Sequence, residues 1–451
     1  MKNNTNTIQN IYHAIYIDKS ACIGCTACLK NCPTKAIRIV KGASVIDKRK
    51  CVDCGNCMRV CKSNAVKVRQ GTIDSISNYK YRVALIPTIL TGQFKLDVTS
   101  DQIYKALHRI GFTHVFEEEM TSMFQIEAIR KFQQETDVRP VISSFCPAIV
   151  RLIQVRFPML TENLVLIKSL IDLTAMSILD YFKSKDIPAQ EVGIFYITPC
   201  AAKMVAVRSP VGDEYTYVTD TLNLDMIYDL ISKQLLTIDK DCEPVSRIHL
   251  TSQELKWSLT GGEAKHAYGR SLSIDGLSNV TEFLDKVDDE AIDDIDFLEL
   301  RACYQSCPGG ILCPDNRYLA VEKIHRRARA ADETPEESLQ RGLKIDFSYD
   351  DIKVPPVKPR QQLGLDENLS VALQKMATVR EYLEILPGFD CGVCGSPDCQ
   401  SLATDAVNNN AKLTNCVFMQ YHSVDNSENI NDIANVWGEE KLKKISKNKK
   451  K

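Results

Sequence analysis

Two runs near the start of the chain, "CIGCTACLKNCP" (Cys22 to Pro33) and "CVDCGNCMRVCK" (Cys51 to Lys62), repeat one spacing, C-x2-C-x2-C-x3-C. Eight of the 18 cysteines thus fall in the first 61 residues, at steps that suit ligands and not scattered packing. Thiols so closely set are expected to hold metal, since a reducing compartment leaves them free of disulfides. Zinc fits poorly, because its knuckles pair two C-x2-C units across a longer gap and need no third cysteine at the same short step. The other cysteines complete a domain map. Four lie between Cys391 and Cys416, and six are spread from Cys146 to Cys313.

The doubled spacing resembles the two-cluster bacterial ferredoxins over roughly residues 15 to 70, with the fourth cysteine of each run serving the other cluster. That assigns Cys22, Cys25, Cys28 and Cys61 to one 4Fe-4S cluster, and Cys51, Cys54, Cys57 and Cys32 to a second. Pro33 fits the pattern, and Lys62 stands where a second turn-shaping proline is usual.

After Val68 the pattern changes to apolar runs alternating with amphipathic stretches, as in an α/β domain. "YRVALIP", "RPVISSFC", "VGIFYITPC" and "DFLELRAC" read as buried strands, and three of the four end on a cysteine. Ligands bind at the carboxyl ends of strands in open α/β sheets, so Cys146, Cys200 and Cys303 are expected to meet in one crevice, with Cys307 on the turn just beyond. A merely packed thiol calls for neither the proline after Cys146 nor the "CPGG" turn at Cys307, which bring backbone close to a cofactor.

"SSFCPAI", "TPCAAK" and "ELRACYQSC", in that order behind a two-cluster ferredoxin, resemble the three signature segments of the FeFe-hydrogenases (iron hydrogenase large subunit), over roughly residues 80 to 330. The resemblance implies a two-lobed α/β domain and an H-cluster: a 4Fe-4S cube on Cys146, Cys200, Cys303 and Cys307, with Cys307 bridging to a two-iron subsite that carries carbon monoxide and cyanide and is inserted by maturases. It makes Cys307 and Lys203 the catalytic candidates, Lys203 holding a cyanide, an anion that would otherwise be buried unpaired. Pro87 and Thr88 in "IPT", and Trp257 in "WSLTGG", occupy positions of segments that line the cofactor. The implied partners are hydrogen, protons and the maturases.

The chain departs from the highly active members where their proton-relay cysteine precedes the cluster cysteine. Here that position is Phe145, which can neither give nor take a proton. Thr198, Ala206 and Arg301 also replace family residues. Cluster ligands without a relay resemble the sensory members, which bind hydrogen or convert it slowly. Two alternatives stay open: an ordinary ferredoxin-linked hydrogenase with a rerouted proton path, and a cubane-only electron-transfer or scaffold protein.

Beyond a proline-bearing linker, "ILPGFDCGVCGSPDCQSLATDA" introduces Cys391, Cys394, Cys399 and, across a helix-like stretch, Cys416. This resembles the small four-cysteine Fe-S domain of some electron-transfer and sensor proteins, and zinc competes at a lone four-cysteine site. The expected organisation is a ferredoxin domain at 1–78, an H-cluster domain at 79–350, a linker at 351–375, a mostly helical 4Fe-4S domain at 376–423 and a lysine-rich tail at 424–451. The span after Val417 is too short for a further sensory domain, so a signal would pass to a separate redox or signalling protein. Cys242 and Cys313 are left over, Cys313 close to the cluster turn.

A formal charge of -2 gives no basic field for nucleic acid. No stretch has the length of a signal peptide or membrane span, and a cytoplasmic location is expected.

Overall fold

The computed structural model describes residues 12–213, 215–239, 242–245, 248–289, 292, 294–332, 347–360, 365–366 and 368–421. The lysine-rich tail expected at 424–451 lies outside them. The chain divides into two compact bodies. A terminal body takes Tyr16–Cys51, Asn56–Lys67 and the residues from Arg360 onward, while a central body takes Val52–Gly55, Val68–Pro359 and the residues up to Ile15.

In the terminal body, strand β1 (Ile15–Ile17) pairs with β4 (Val66–Val68), and β2 (Ile37–Val40) with β3 (Ala43–Ile46). The β2–β3 pair is antiparallel, with Val40 opposite Ala43. Lys41 and Gly42 between them both hold positive φ, 50° and 78°, the mirror-image turn whose twist matches a two-residue hairpin. Short helical turns, Ala27–Lys30 and Asn56–Arg59, carry the third cysteine of each ferredoxin run. Farther along, a helix over Leu369–Ile385 and another over Cys399–Val407 enclose a small core of Leu386, Leu402, Ala403 and Cys416. The module is mostly helical, as expected.

The central body holds two parallel sheets. One has the order β6 (His114–Glu117), β5 (Tyr81–Ile86), β8 (Val192–Thr198), β9 (Asp220–Asn223); the other has β10 (Ser271–Asp275), β11 (Phe297–Arg301), β7 (Val141–Ile142). Every residue of β8 and β11 is buried, which parallel strands flanked on both faces require and which explains their unbroken apolar runs. All four expected strands are present, and they divide between the sheets: β5 and β8 in one lobe, β7 and β11 in the other. β7 is far shorter than its run, because at Ser143 the side-chain oxygen takes the Phe145 N–H at 3.2 Å and the chain leaves the ladder. Parallel pairing puts the carboxyl ends of all strands in a sheet on one edge, and there Thr88, Glu118, Cys200, Cys146 and Cys303 follow their strands.

Candidate metal centres

Cys146 and Cys200 occupy equivalent places in the two lobes. Each is the N-cap of a helix, Pro147–Arg156 and Ala201–Arg208 respectively, where unpaired N–H groups and the helix dipole favour a thiolate. Pro147 suits the first helical position, which has no N–H to lose. Thr198 shapes the turn into Cys200: its hydroxyl donates to the Cys200 carbonyl at 2.8 Å and receives the Cys200 N–H at 3.3 Å. Cys303 and Cys307 flank a loop in which Gln305 and Ser306 hold φ at 64° and 55°. The next glycines have a steric reason. A Cβ on Gly310 would stand 2.4 Å from the Pro199 carbonyl oxygen, which accepts the Leu312 N–H at 3.0 Å. Only glycine lets the Cys307 turn reach the turn before Cys200.

These thiols are close enough to oppose one another's ionisation. Burial pushes Cys200 up to about 12, and the charges of Cys303 and Cys146 add to it. Burial likewise pushes Cys307 up to about 12, against the pull of Lys203 and Arg301. Such a set is poorly stable as free thiolates and well suited to a metal cluster, which supplies the missing positive charge. Cys313, also raised by burial, neighbours Cys307, Cys303 and Cys200, with its Sγ 3.5 Å from the Cys307 carbonyl.

Around them is a buried polar frame. Lys203 donates to Glu118 at 2.6 Å and to the Tyr196 hydroxyl at 3.0 Å, and Tyr196 donates to Glu118 at 2.6 Å. Burial works against the Lys203 charge, but Glu118 and the Cys307 thiolate outweigh it and hold the ammonium on. Arg301 lies 2.9 Å from Glu263 and 3.2 Å from Glu299. Glu299 also accepts the N–H groups of Gly261, Glu263 and Ala264, each at 2.9 Å, fixing the "TGGEA" segment. Phe145 stands between the two cations: its ring centre is 3.8 Å from the Arg301 guanidinium carbon and 4.6 Å from Lys203 Nζ. The ring lies within cation–π reach of both, in addition to their carboxylate partners.

Thr88 donates its N–H and its hydroxyl to Glu119, both at 2.9 Å, and Ser258 donates to the same carboxyl at 2.6 Å. Burial, with the Glu118 charge beside it, pushes Glu119 up to about 8. Trp257 is fully buried, in one apolar cluster with Phe145 and against Cys307. Its indole N–H has no hydrogen-bond partner among the described residues, and neither has one Arg301 nitrogen, Nη1. Two unsatisfied buried donors beside four cysteines fit an anionic iron-sulfur group with acceptor ligands. Pro87 directly follows β5, next to Thr88.

Sequence reasoning missed Glu118, Glu119, Glu263, Glu299 and Tyr196. Part of the signal was available. Glu299 and Arg301 alternate inside an otherwise apolar run, and "EEE" closes a strand, both costly placements unless the charges are paired.

In the terminal body the ferredoxin thiols take backbone donors: Ser44 N–H to Cys22 at 3.4 Å, Ala36 N–H to Cys32 and Ala65 N–H to Cys61, both at 3.2 Å. The Ser44 hydroxyl is 3.1 Å from Cys28 and 3.7 Å from Cys22. Cys28 feels the charges of Cys22 and Cys25, and Cys22 that of Cys61. Cys57, pushed well up by burial, feels Cys51 and Cys32 first. Cys54 belongs to Val52–Gly55, a segment of the central body. Cys391, Cys394, Cys399 and Cys416 all line one cavity, closed by Pro387, Phe389 and Leu402.

Comparison with known proteins agrees with this geometry. Residues 14–62 match the 4Fe-4S dicluster domain, residues 80–227 the C-terminal domain of the iron-only hydrogenase large subunit, and residues 386–418 a putative Fe-S cluster segment. The chain is an iron-sulfur protein of mixed α/β build, with a ferredoxin-type 4Fe-4S domain at its start. Within its central body, residues 80–227 are similar to the C-terminal domain of the iron-only hydrogenase large subunit. Cys303 and Cys307 lie beyond the matched stretch.

Similar solved structures include a variant of an FeFe-hydrogenase from Chlamydomonas reinhardtii, 14% identical, with a TM-score of 0.48 over 64% of this chain and 98% of that one. An FeFe-hydrogenase caught during stepwise H-cluster assembly is likewise 14% identical, with a TM-score of 0.46 over the same shares. An uncharacterised protein of Methanocaldococcus jannaschii is 36% identical over 74 residues, 16% of this chain and 32% of that one, so the chain spans about a third of that relative. Among the described residues no helix is long and apolar enough to cross a membrane.

Proposed function

We propose that the chain is a low-turnover FeFe-hydrogenase-like sensor of hydrogen or redox state, acting in the cytoplasm. Cys146, Cys200, Cys303 and Cys307 would hold an H-cluster, two 4Fe-4S clusters would sit on the ferredoxin cysteines and one on the carboxyl-terminal four. When bound, the two-iron part of the H-cluster supplies the hydrogen chemistry. Lys203 would offer its ammonium to an anionic ligand, Cys307 would be shared between the cube and the two-iron part, Trp257 and Arg301 would offer free donors, and Pro87 and Thr88 would line the cofactor. Dedicated maturases would load the site, and a separate redox or signalling protein would receive the output.

The observation that carries this reading is Phe145 between Lys203 and Arg301. A clamped aromatic ring in the relay position excludes water and moves no proton, while every ligand is kept. The obvious relief is local. Ser143 lies within 3.2 Å of the Phe145 N–H and donates to Glu263 at 2.7 Å. Burial, eased by Arg301, pushes Glu263 up to about 7, a range in which a carboxyl can pass protons. On maturase-loaded protein, Phe145→Cys is expected to raise hydrogen turnover by roughly a hundredfold, the low end of what a positioned acid/base group contributes. Fast turnover by the unaltered chain would contradict the sensory reading and favour the ordinary hydrogenase.

One observation favours a second reading, a cubane-only protein. Lys203 already has a full partner in Glu118, so a cyanide ligand is not needed to explain a buried lysine.

A further inference from the structure

The first and last cysteine modules of the sequence meet within the terminal body. Arg38 reaches Asp405 through two nitrogens, Nε at 2.5 Å and Nη2 at 3.3 Å, and Lys35 reaches Asp398 at 2.6 Å. The Lys30 ammonium donates to the carbonyls of Asp390 and Pro397. The open edge of the β2–β3 hairpin is used as well, since the Ile39 N–H donates to the Gly395 carbonyl at 2.9 Å. Basic ferredoxin side chains thus face acidic residues and carbonyls of the last module, and one backbone hydrogen bond joins the hairpin edge to the Cys394 loop.

The residues in contact are the neighbours of the ligands. Gly392 follows Cys391, Gly395 follows Cys394 and Asp398 precedes Cys399, while Leu29 and Lys30 lie between Cys28 and Cys32. A Cβ on Gly395 would stand 2.8 Å from the Ile39 carbonyl oxygen, and one on Gly392 would stand 3.2 Å from Leu29 and 3.3 Å from Lys30. Both glycines hold left-handed φ, 87° and 79°. The Cys394 loop thus lies against the β2 backbone at Gly395, where a Cβ would clash, and the Cys391 loop packs closely on Leu29 and Lys30.

We propose that this contact is an electron junction. Cys391, Cys394, Cys399 and Cys416 would hold a cluster able to exchange single electrons directly with the ferredoxin clusters, one oxidised as the other is reduced, with no bond made and no proton moved. Electron exchange falls steeply with distance, and the seam, held by paired charges and one backbone hydrogen bond, would keep the two modules together. The carboxyl-terminal module is then a fixed terminus of the relay, from which an outside partner draws electrons. The inference needs iron-sulfur clusters at both places and is independent of the hydrogen chemistry.

The test uses the full chain with its clusters reconstituted, reduced with dithionite and read by electron paramagnetic resonance. Spin-spin broadening of the ferredoxin signals beyond what the two ferredoxin clusters impose on each other is expected, and Cys399→Ala, which removes the last cluster, should abolish that added broadening alone. A Lys35→Glu, Arg38→Glu double variant should lose the added broadening and raise hydrogen exchange at the Ile39 amide by roughly tenfold, since that amide's protection reports opening of the seam. Adding Asp398→Lys and Asp405→Arg should restore both, which separates a broken seam from a damaged fold. Added broadening that persists when the Ile39 amide has opened, its absence in the unaltered chain, or zinc in place of iron at the last site would each overturn the proposal.

Discussion

The two bodies hold cysteine in opposite ways. In the terminal body the thiols sit on short loops, several at least partly open to solvent, and are steadied by backbone N–H groups a few residues away. In the central body the four candidate ligands come from three separate places in the chain and are set in a frame of buried ion pairs. A local site needs only turn chemistry. An assembled site needs two sheets, two helix N-termini and several carboxylates to agree, and its charges are structural as well as chemical.

That difference sets the largest expected effect. Removing one partner of a buried ion pair leaves an uncompensated charge, so Lys203→Met should lower the unfolding free energy by about 3–5 kcal/mol in denaturant melts. Lys35→Ala breaks a half-exposed pair in the terminal body and should cost only about 0–1 kcal/mol. Equal effects would erase the distinction. Lys203→Met combined with Glu118→Leu should recover much of the loss, because the pair then leaves together.

The bodies should also answer pH in opposite directions. Glu119, at about 8, and Glu263, at about 7, are raised above the ordinary carboxyl range, chiefly by burial. The folded central body therefore holds protons that the unfolded chain releases, and its stability should fall as pH rises through about 5 to 8. Asp398 is the reverse case. Burial opposes its charge, but Lys35 and the Ser401 N–H prevail and lower it, so its contribution is present above the usual aspartate range and is lost on acidification below it. Melts across pH followed separately for each body check this, and Glu119→Gln should flatten the alkaline slope of the central body alone.

The smallest effect concerns Trp257, whose indole N–H lacks a partner. Trp257→Phe should change stability of the cluster-free chain by less than about 1 kcal/mol, since it removes an unsatisfied buried donor while keeping most of the ring. If the indole instead serves a bound cofactor, the same change should shift the cofactor's infrared bands.

What was legible in the sequence follows the same division. The ferredoxin fold and the last module were written in local spacings, which survive without tertiary context. The central strands were legible from their apolar runs, because parallel strands buried on both faces leave no alternation to misread. Their division between two sheets was less so, since β7 keeps only Val141 and Ile142 once Ser143 turns the chain. Glu263 was invisible as a site residue, and Glu118 and Glu299 showed only as charges set at the end of or inside apolar runs. A buried carboxylate is recognisable only when its partner is known, and Lys203 and Arg301 are distant in sequence or appeared as mere replacements. The relay position was the exception: Phe145 could be read as a lost proton carrier, but its place between two cations needed the structure.

The proposed function requires a hydrogenase cofactor site on the four cysteines beside a proton path closed at Phe145. Infrared spectroscopy of the maturase-treated protein, in the carbonyl and cyanide stretching region, tests it most directly. Both sets of bands are expected, with the cyanide bands shifted by Lys203→Met; protein that binds iron at the four cysteines yet shows no such bands would contradict the proposal and leave a cubane-only protein.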